Sequence, residues 1–89
     1  MIHTEPQIDA ARQQELGVKD WPIWSKEVSQ FPWHYAEPET CWLIEGKVRV
    51  TTQDGEQVTL VAGDLARFDA GLRCTWEVLE PLSKHYRFG

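Results

Sequence analysis

FPWHYAEPETCWLIEG, residues 31–46, decides how the rest of the chain is read, with GDLARFDAGLRCTW, residues 63–76, as its partner. Both have the texture of strands cut by tight turns, with aromatic and apolar residues bounded by Pro, Gly and Asp. Side chains of an extended strand alternate between its two faces. Trp33 and Tyr35 therefore share one face, Glu39 and Cys41 share one, and Cys74 and Trp76 share one. Turned inward together, these pairs give a small barrel an interior of rings, a carboxylate and two thiols. Such an interior has the makings of a site.

The strand texture continues outward on both sides. Trp21-Pro22-Ile23-Trp24 opens it, and Pro22 confines that segment to a sheet edge or a strand start. Strands are predicted from Val28 to Tyr35, Thr40 to Ile44, around Val48 and Val50, at Val58 to Leu60, Leu65 to Phe68, Arg73 to Leu79 and Leu82 to Phe88. Turns at Glu45-Gly46, Asp54-Gly55, Ala62-Gly63-Asp64, Asp69-Ala70-Gly71 and Glu80-Pro81 separate them. That makes about eight short strands at the close spacing of a sandwich or barrel. Ahead of them, Thr4-Glu5-Pro6-Gln7 reads as a helix start, with Thr4 as cap and Gly17 as stop. Strand texture is expected to resume at Val18. Residues 1–20 are thus an N-terminal helix and lead-in packed over one end of the barrel, and residues 21–89 the barrel of a single domain.

Composition narrows the class. A chain of 89 residues has room for one modest core, and its net charge of −5 offers no cationic footprint for nucleic acid. No apolar run approaches the roughly 20 residues that span a bilayer. The opening Met1-Ile-His-Thr-Glu-Pro lacks the basic and apolar regions of a secretion signal, so a cytoplasmic location is expected. There Cys41 and Cys74 are expected as reduced thiols, with a disulfide between them as the alternative. Five tryptophans exceed what so small a core demands.

Six residues separate Glu39 from Gly46, and five separate Gly63 from Asp69-Ala70-Gly71, with Cys74 shortly after. These spacings resemble the two motifs of the cupins: His-x-His, three or four residues, Glu, six residues, Gly, and then Gly, five residues, Pro-x-Gly, two residues, His, three residues, Asn. ETCW, GLRCTW and the closing KHY look like the small stand-alone cupins grouped with the (S)-ureidoglycine aminohydrolase cupin domain. The resemblance covers the chain from about Trp21 to Gly89 and implies an all-β fold, a small cupin jelly-roll β-barrel with one short N-terminal helix. An open jelly roll often covers its remaining edge by pairing with a second copy, so a homodimer is expected. This sequence departs from the motifs at the metal ligands. The two first-motif histidines become Trp33 and Tyr35 with the shorter gap, or Pro32 and His34 with the longer one. Cys74 and Val78 replace the second motif's His and Asn. A three-histidine iron site cannot be assembled at the family positions.

The resemblance turns Glu39 inward, where a carboxylate needs a partner. Cys74 replaces a metal ligand, and two chemistries follow. With a metal, Glu39, thiolate Cys74 and His34 offer one oxygen, one sulfur and one nitrogen, a set that suits zinc. Without one, Cys74 is a protonated thiol that donates a proton or packs. Glu39 and Cys74 are the candidate catalytic groups. Trp33, Tyr35, Cys41 and Trp76 are candidate pocket walls, and Lys84 is the cation able to balance Glu39. A small-molecule ligand in the barrel interior is the expected partner. Three functions remain open at this point. One is an enzyme on a small polar metabolite, with metal-assisted hydrolysis of a ureido or amide compound as the nearest implied reaction. The others are a binding or sensor module without metal, and a structural subunit.

Overall fold

A computed structural model describes residues 1–89. Its strands are β1 (Ile2–Glu5), β2 (Ile23–Lys26), β3 (Ser29–His34), β4 (Glu39–Thr52), β5 (Gln57–Val61), β6 (Leu65–Phe68) and β7 (Arg73–Phe88). One helix, α1 (Ala10–Leu16), and a 3-10 turn over Val18–Asp20 lie between β1 and β2. No helix is long and apolar enough to cross a membrane.

The long strands β4 and β7 pair antiparallel from Glu39↔Phe88 to Thr52↔Cys74, and both bend in the middle. Before the bend β4 also pairs with β6, which carries β1 on its far side; after it, β4 pairs with β5. On β7, the first half pairs with β3 and the second with β2. The bend folds one continuous antiparallel ladder into two half-sheets, β1-β6-β4-β7-β2 and β5-β4-β7-β3, whose inner faces pack together. Contact between Phe68 of one and Trp76 of the other, with ring centroids 5.7 Å apart, marks the seam. This is the small, mostly β jelly roll with a short helix that the sequence predicts.

Two expected turns prove to be bends inside strands. Glu45-Gly46 lies where the β4–β7 register shifts, between Leu43 and Val48. Gly46 has φ +97°, and a methyl group there would land 2.8 Å from Leu82 Cα and closer still to the Pro81 carbonyl. Only glycine permits both the left-handed backbone and that approach. The irregularity also switches parity. Glu39, Cys41 and Leu43 point inward before it; Val48, Val50 and Thr52 are the buried set after it. Glu80-Pro81 lies at the bend of β7, whose ladder with β4 continues from Val78 through Glu80 to Ser83, with Val78, Leu82 and Lys84 buried on one parity throughout.

The N-terminus differs from its prediction. Thr4 belongs to β1 rather than to a helix cap, because Ile2 buries its side chain and residues 2–5 complete the edge of β6. The cap is Asp9, whose carboxylate accepts from Arg12 N at 2.9 Å, while Gly17 ends the helix in the left-handed conformation as expected. Val18 to Asp20 form a 3-10 turn instead of strand. Val18, Trp21 and Leu65 make a small cluster with Ile8, Leu16 and Trp42, so the helical lead-in lies against the outer face of the sheet.

Candidate functional site

Trp24, Phe31, Trp33, Tyr35, Glu39, Trp76, Lys84, Tyr86 and Phe88 line a cavity of about 190 Å³ between the two half-sheets, away from the bend. Parity builds it: Lys84, Tyr86 and Phe88 alternate along β7, and Phe31 and Trp33 along β3. Register brings the strands together, with Trp24 opposite Lys84 and Phe31 opposite Trp76. Trp33 and Phe88, about half exposed, form the mouth. Edge-to-face contacts run from Trp24 to Phe31 and Trp76, and from Phe31 to Trp33, at 6.2–6.4 Å between centroids.

At the base lies a buried ion pair. Lys84 Nζ donates to Glu39 Oε2 at 2.7 Å, and both side chains are more than nine-tenths buried. The ammonium also sits 4.4 Å from the Trp76 ring centroid and 5.1 Å from that of Trp24. Those faces carry negative quadrupolar density, so they offset part of the hydration that Lys84 has lost. Every fully buried side-chain nitrogen and oxygen in the chain has a hydrogen-bond partner. Glu39 makes its hydrogen bond through Oε2 alone, so Oε1 is not sealed off and opens on the cavity that Glu39 lines.

Tyr35 accepts a hydrogen bond from Trp76 Nε1 at 3.2 Å, which leaves its hydroxyl proton free to donate. Burial first, and then the negative charge of Glu39, push its ionisation far above the ordinary phenol range. Burial likewise pushes the Cys41 thiol up to about 11 and raises that of Cys74. At neutral pH the site thus holds a protonated phenol beside one ion pair, with two protonated thiols in the core outside it.

Residues 13–86 match the sequence pattern of the EutQ-like cupin domain. The chain belongs to that cupin family. Over its full length it is 48% identical to a DUF861 family protein from Thermotoga maritima, covering all of both chains with a TM-score of 0.96. At 17% identity it shares its fold with the EutQ protein of Clostridium difficile, covering 98% of this chain and 66% of that one at a TM-score of 0.69. Oxalate decarboxylase has the same barrel within a larger chain: 98% of this cupin aligns with 25% of it, at 21% identity and a TM-score of 0.56. No curated protein matches the sequence.

A family-type metal does not fit this cupin's residues. No three His, Cys, Asp or Glu side chains come together in a group that could hold an ion. The expected zinc set of Glu39, Cys74 and His34 fails on parity, because His34 is exposed on the face of β3 opposite to that of Trp33 and Tyr35. Cys74 packs in the core outside the cavity that Glu39 lines, and Lys84 supplies the positive charge beside Glu39.

Of the residues singled out in the sequence, Trp33, Tyr35, Glu39, Trp76 and Lys84 meet in the cavity. Cys41 and Cys74 are free thiols packed in the core and are not among its lining residues. His85 is buried on the outside of the sheet, with its ring stacked on Trp42 and Nδ1 donating to the Trp21 carbonyl at 2.8 Å. Sequence reasoning missed Trp24, Phe31, Tyr86 and Phe88 as walls. Phe31 and Phe88 carry the right alternation with Trp33 and Lys84 and were legible; Trp24 becomes a wall only through its register with Lys84.

Proposed function

We propose that this cupin binds a small, uncharged, polar organic molecule in the aromatic cavity without a metal ion. The observation that carries the reading is the open Oε1 of Glu39 beside a neutralised ion pair in aromatic walls. An N–H or O–H of the ligand donates to Oε1, the Tyr35 hydroxyl donates to an acceptor on it, and the rings pack on its faces. Net charge on the ligand is disfavoured, because Glu39 and Lys84 already cancel and a further ion in a poorly hydrated hollow has no partner. A dry cavity of about 150 Å³ holds benzene, so a ligand of about six to ten heavy atoms suits this one.

Trp24, Trp33 and Trp76 supply the test. Their fluorescence, titrated with a panel of small amides, ureas and alcohols in the presence of a chelator, should change saturably for at least one class. Glu39→Gln should weaken that response, since a neutral amide oxygen is the poorer acceptor. A response that vanishes with chelator and returns with zinc, or one indifferent to Glu39→Gln, would sink the reading.

A second reading is acid–base chemistry on an amide or ureido compound, the reaction type implied by resemblance to the (S)-ureidoglycine aminohydrolase cupins. Its support is an open carboxylate oxygen, as base, in the same cavity as the Tyr35 hydroxyl, whose O–H is free to donate a hydrogen bond to a substrate carbonyl. Turnover of a bound ureido compound, lost in Tyr35→Phe with binding retained, would select it.

A further inference from the structure

Outside the barrel, a row of side chains crosses four strands on the solvent face. His3 on β1 is opposite Arg67 on β6, Arg67 opposite Thr40 on β4, and Thr40 opposite Arg87 on β7. Directly paired residues share a sheet face, so all four project to the same side. They line a hollow of about 240 Å³ with Thr4, Glu5, Arg12, Leu16 and Leu65, roofed by the helical lead-in. The charges there are unevenly matched. Arg12 is spoken for: it holds Glu5 through two hydrogen bonds, at 2.9 and 3.1 Å, and also contacts Glu15. Arg67 and Arg87 take part in none of the chain's ion pairs. Arg67 reaches only the Thr40 hydroxyl and the Gly89 carbonyl, each at a long 3.4 Å. The Arg87 guanidinium lies 5.0 Å from the centroid of the Trp21 ring.

Two arginines without a side-chain carboxylate partner, on either side of Thr40 on one sheet face of a chain with 14 acidic and 9 basic residues, offer guanidinium donors to a negative group supplied from outside. The guanidinium fork matches the oxygens of a carboxylate or phosphate, and stacking on Trp21 restricts Arg87 before any ligand arrives. Thr40 accepts from Arg67 and so keeps its own hydroxyl proton for a third oxygen. We propose that Arg67, Thr40 and Arg87 form a binding site for a small oxyanion, a phosphate or carboxylate group, on the outer face of the sheet. The site is separate from the aromatic cavity and stands whether or not that cavity binds a ligand. It lies on the other side of the same wall: Glu39 and Cys41 flank Thr40, and Tyr86 and Phe88 flank Arg87, with their side chains turned the opposite way.

Amide chemical-shift titration of the full chain tests this with two probes, inorganic phosphate and malonate, each against sodium chloride at matched ionic strength. Saturable shifts centred on Thr40, Arg67 and Arg87 with either probe are expected and identify which oxyanion is preferred. Arg67→Ala and Arg87→Ala should each weaken the affinity roughly tenfold or more, the worth of a charged hydrogen bond. Arg73→Ala, which removes another arginine outside the chain's ion pairs, should leave the affinity unchanged. Arg67→Lys and Arg87→Lys keep the charge, so they report on the site even if an alanine variant folds poorly; both should bind more weakly than the parent. The proposal is overturned if neither probe does more than chloride, if the shifts spread evenly over the surface, or if the Arg67 and Arg87 variants bind as the parent does.

Discussion

The bend end and the open end of the sandwich are made from the same two strands, yet one is sealed and the other is a site. At the bend, Val48 is opposite Val78, and Leu43 and Leu82 flank the irregularities, all four at 2% exposure or less. Short branched side chains from two inner faces interdigitate there without gaps. At the open end the same alternation delivers Trp76, Tyr35, Tyr86, Phe31, Lys84 and Glu39. Rings that meet edge-to-face keep their centroids more than 6 Å apart, and two half-sheets that diverge from a shared bend leave the wider gap away from it. Large, stiff side chains over a widening gap leave a hollow that smaller ones would have closed. Side-chain shape thus decides which end of a continuous β-layer can bind a ligand, and the polar pair is tolerated at the end where one of its oxygens stays accessible.

The sharpest way to break this contrast is to remove the charge from the open end. Lys84→Met strands Glu39 without its partner, and removing one member of a buried pair costs about 3–5 kcal/mol. Urea denaturation should show that loss. Combining Glu39→Leu with Lys84→Met should restore stability to near or above the parent while abolishing any ligand response, since well-packed apolar replacements of buried pairs are often neutral or better. A double variant as unstable as the single one would mean that the ion pair itself holds the open end together.

The seam between the two ends is tested by Gly46→Ala. Its methyl group meets backbone at Pro81 and Leu82, which cannot swing aside, and the left-handed backbone adds strain. A loss of about 2–4 kcal/mol is expected by the same measurement. A change below half a unit would show that β4 can bend without the bulge, and the parity switch would lose its explanation.

The smallest effect sharpens the contrast through pH. Burial raises the Cys41 thiol from 9.0 to about 11, so between these values the unfolded chain has released a proton that the folded one retains. Stability contributed by Cys41 is therefore complete below pH 9 and is lost as pH rises toward 11, by about 2 kcal/mol. Tyr35, also raised, adds to the loss from about pH 10 upward. Cys41→Ala should lose less stability than the parent between pH 8 and 10.5; parallel curves would mean that the thiol ionises in the folded state as readily as in the unfolded one.

Local chemistry made much of this legible in advance. Alternation alone placed Trp33 with Tyr35, and Cys74 with Trp76, on shared faces, and the Gly-containing turns marked where the chain changes direction. Spacing around Glu39 and Gly46 carried the cupin resemblance and with it the inward carboxylate. These are properties of residues next to one another, and a strand's period of two needs no distant partner to be read. What failed were statements about pairing at long range. Thr4 looked like a helix cap until β6 offered residues 2–5 an edge, and His34 looked like a ligand until the β3–β7 register turned it outward. Gly46 looked like the end of a strand, but contact with Pro81 and Leu82 makes it a bulge that reverses which residues face the core. The exception is Lys84, expected as the cation that balances Glu39, which meets it from 45 residues away. Sequence determined which side chains share a face within each strand. Only tertiary structure decided which faces meet, because register between distant strands is set by how the whole core packs.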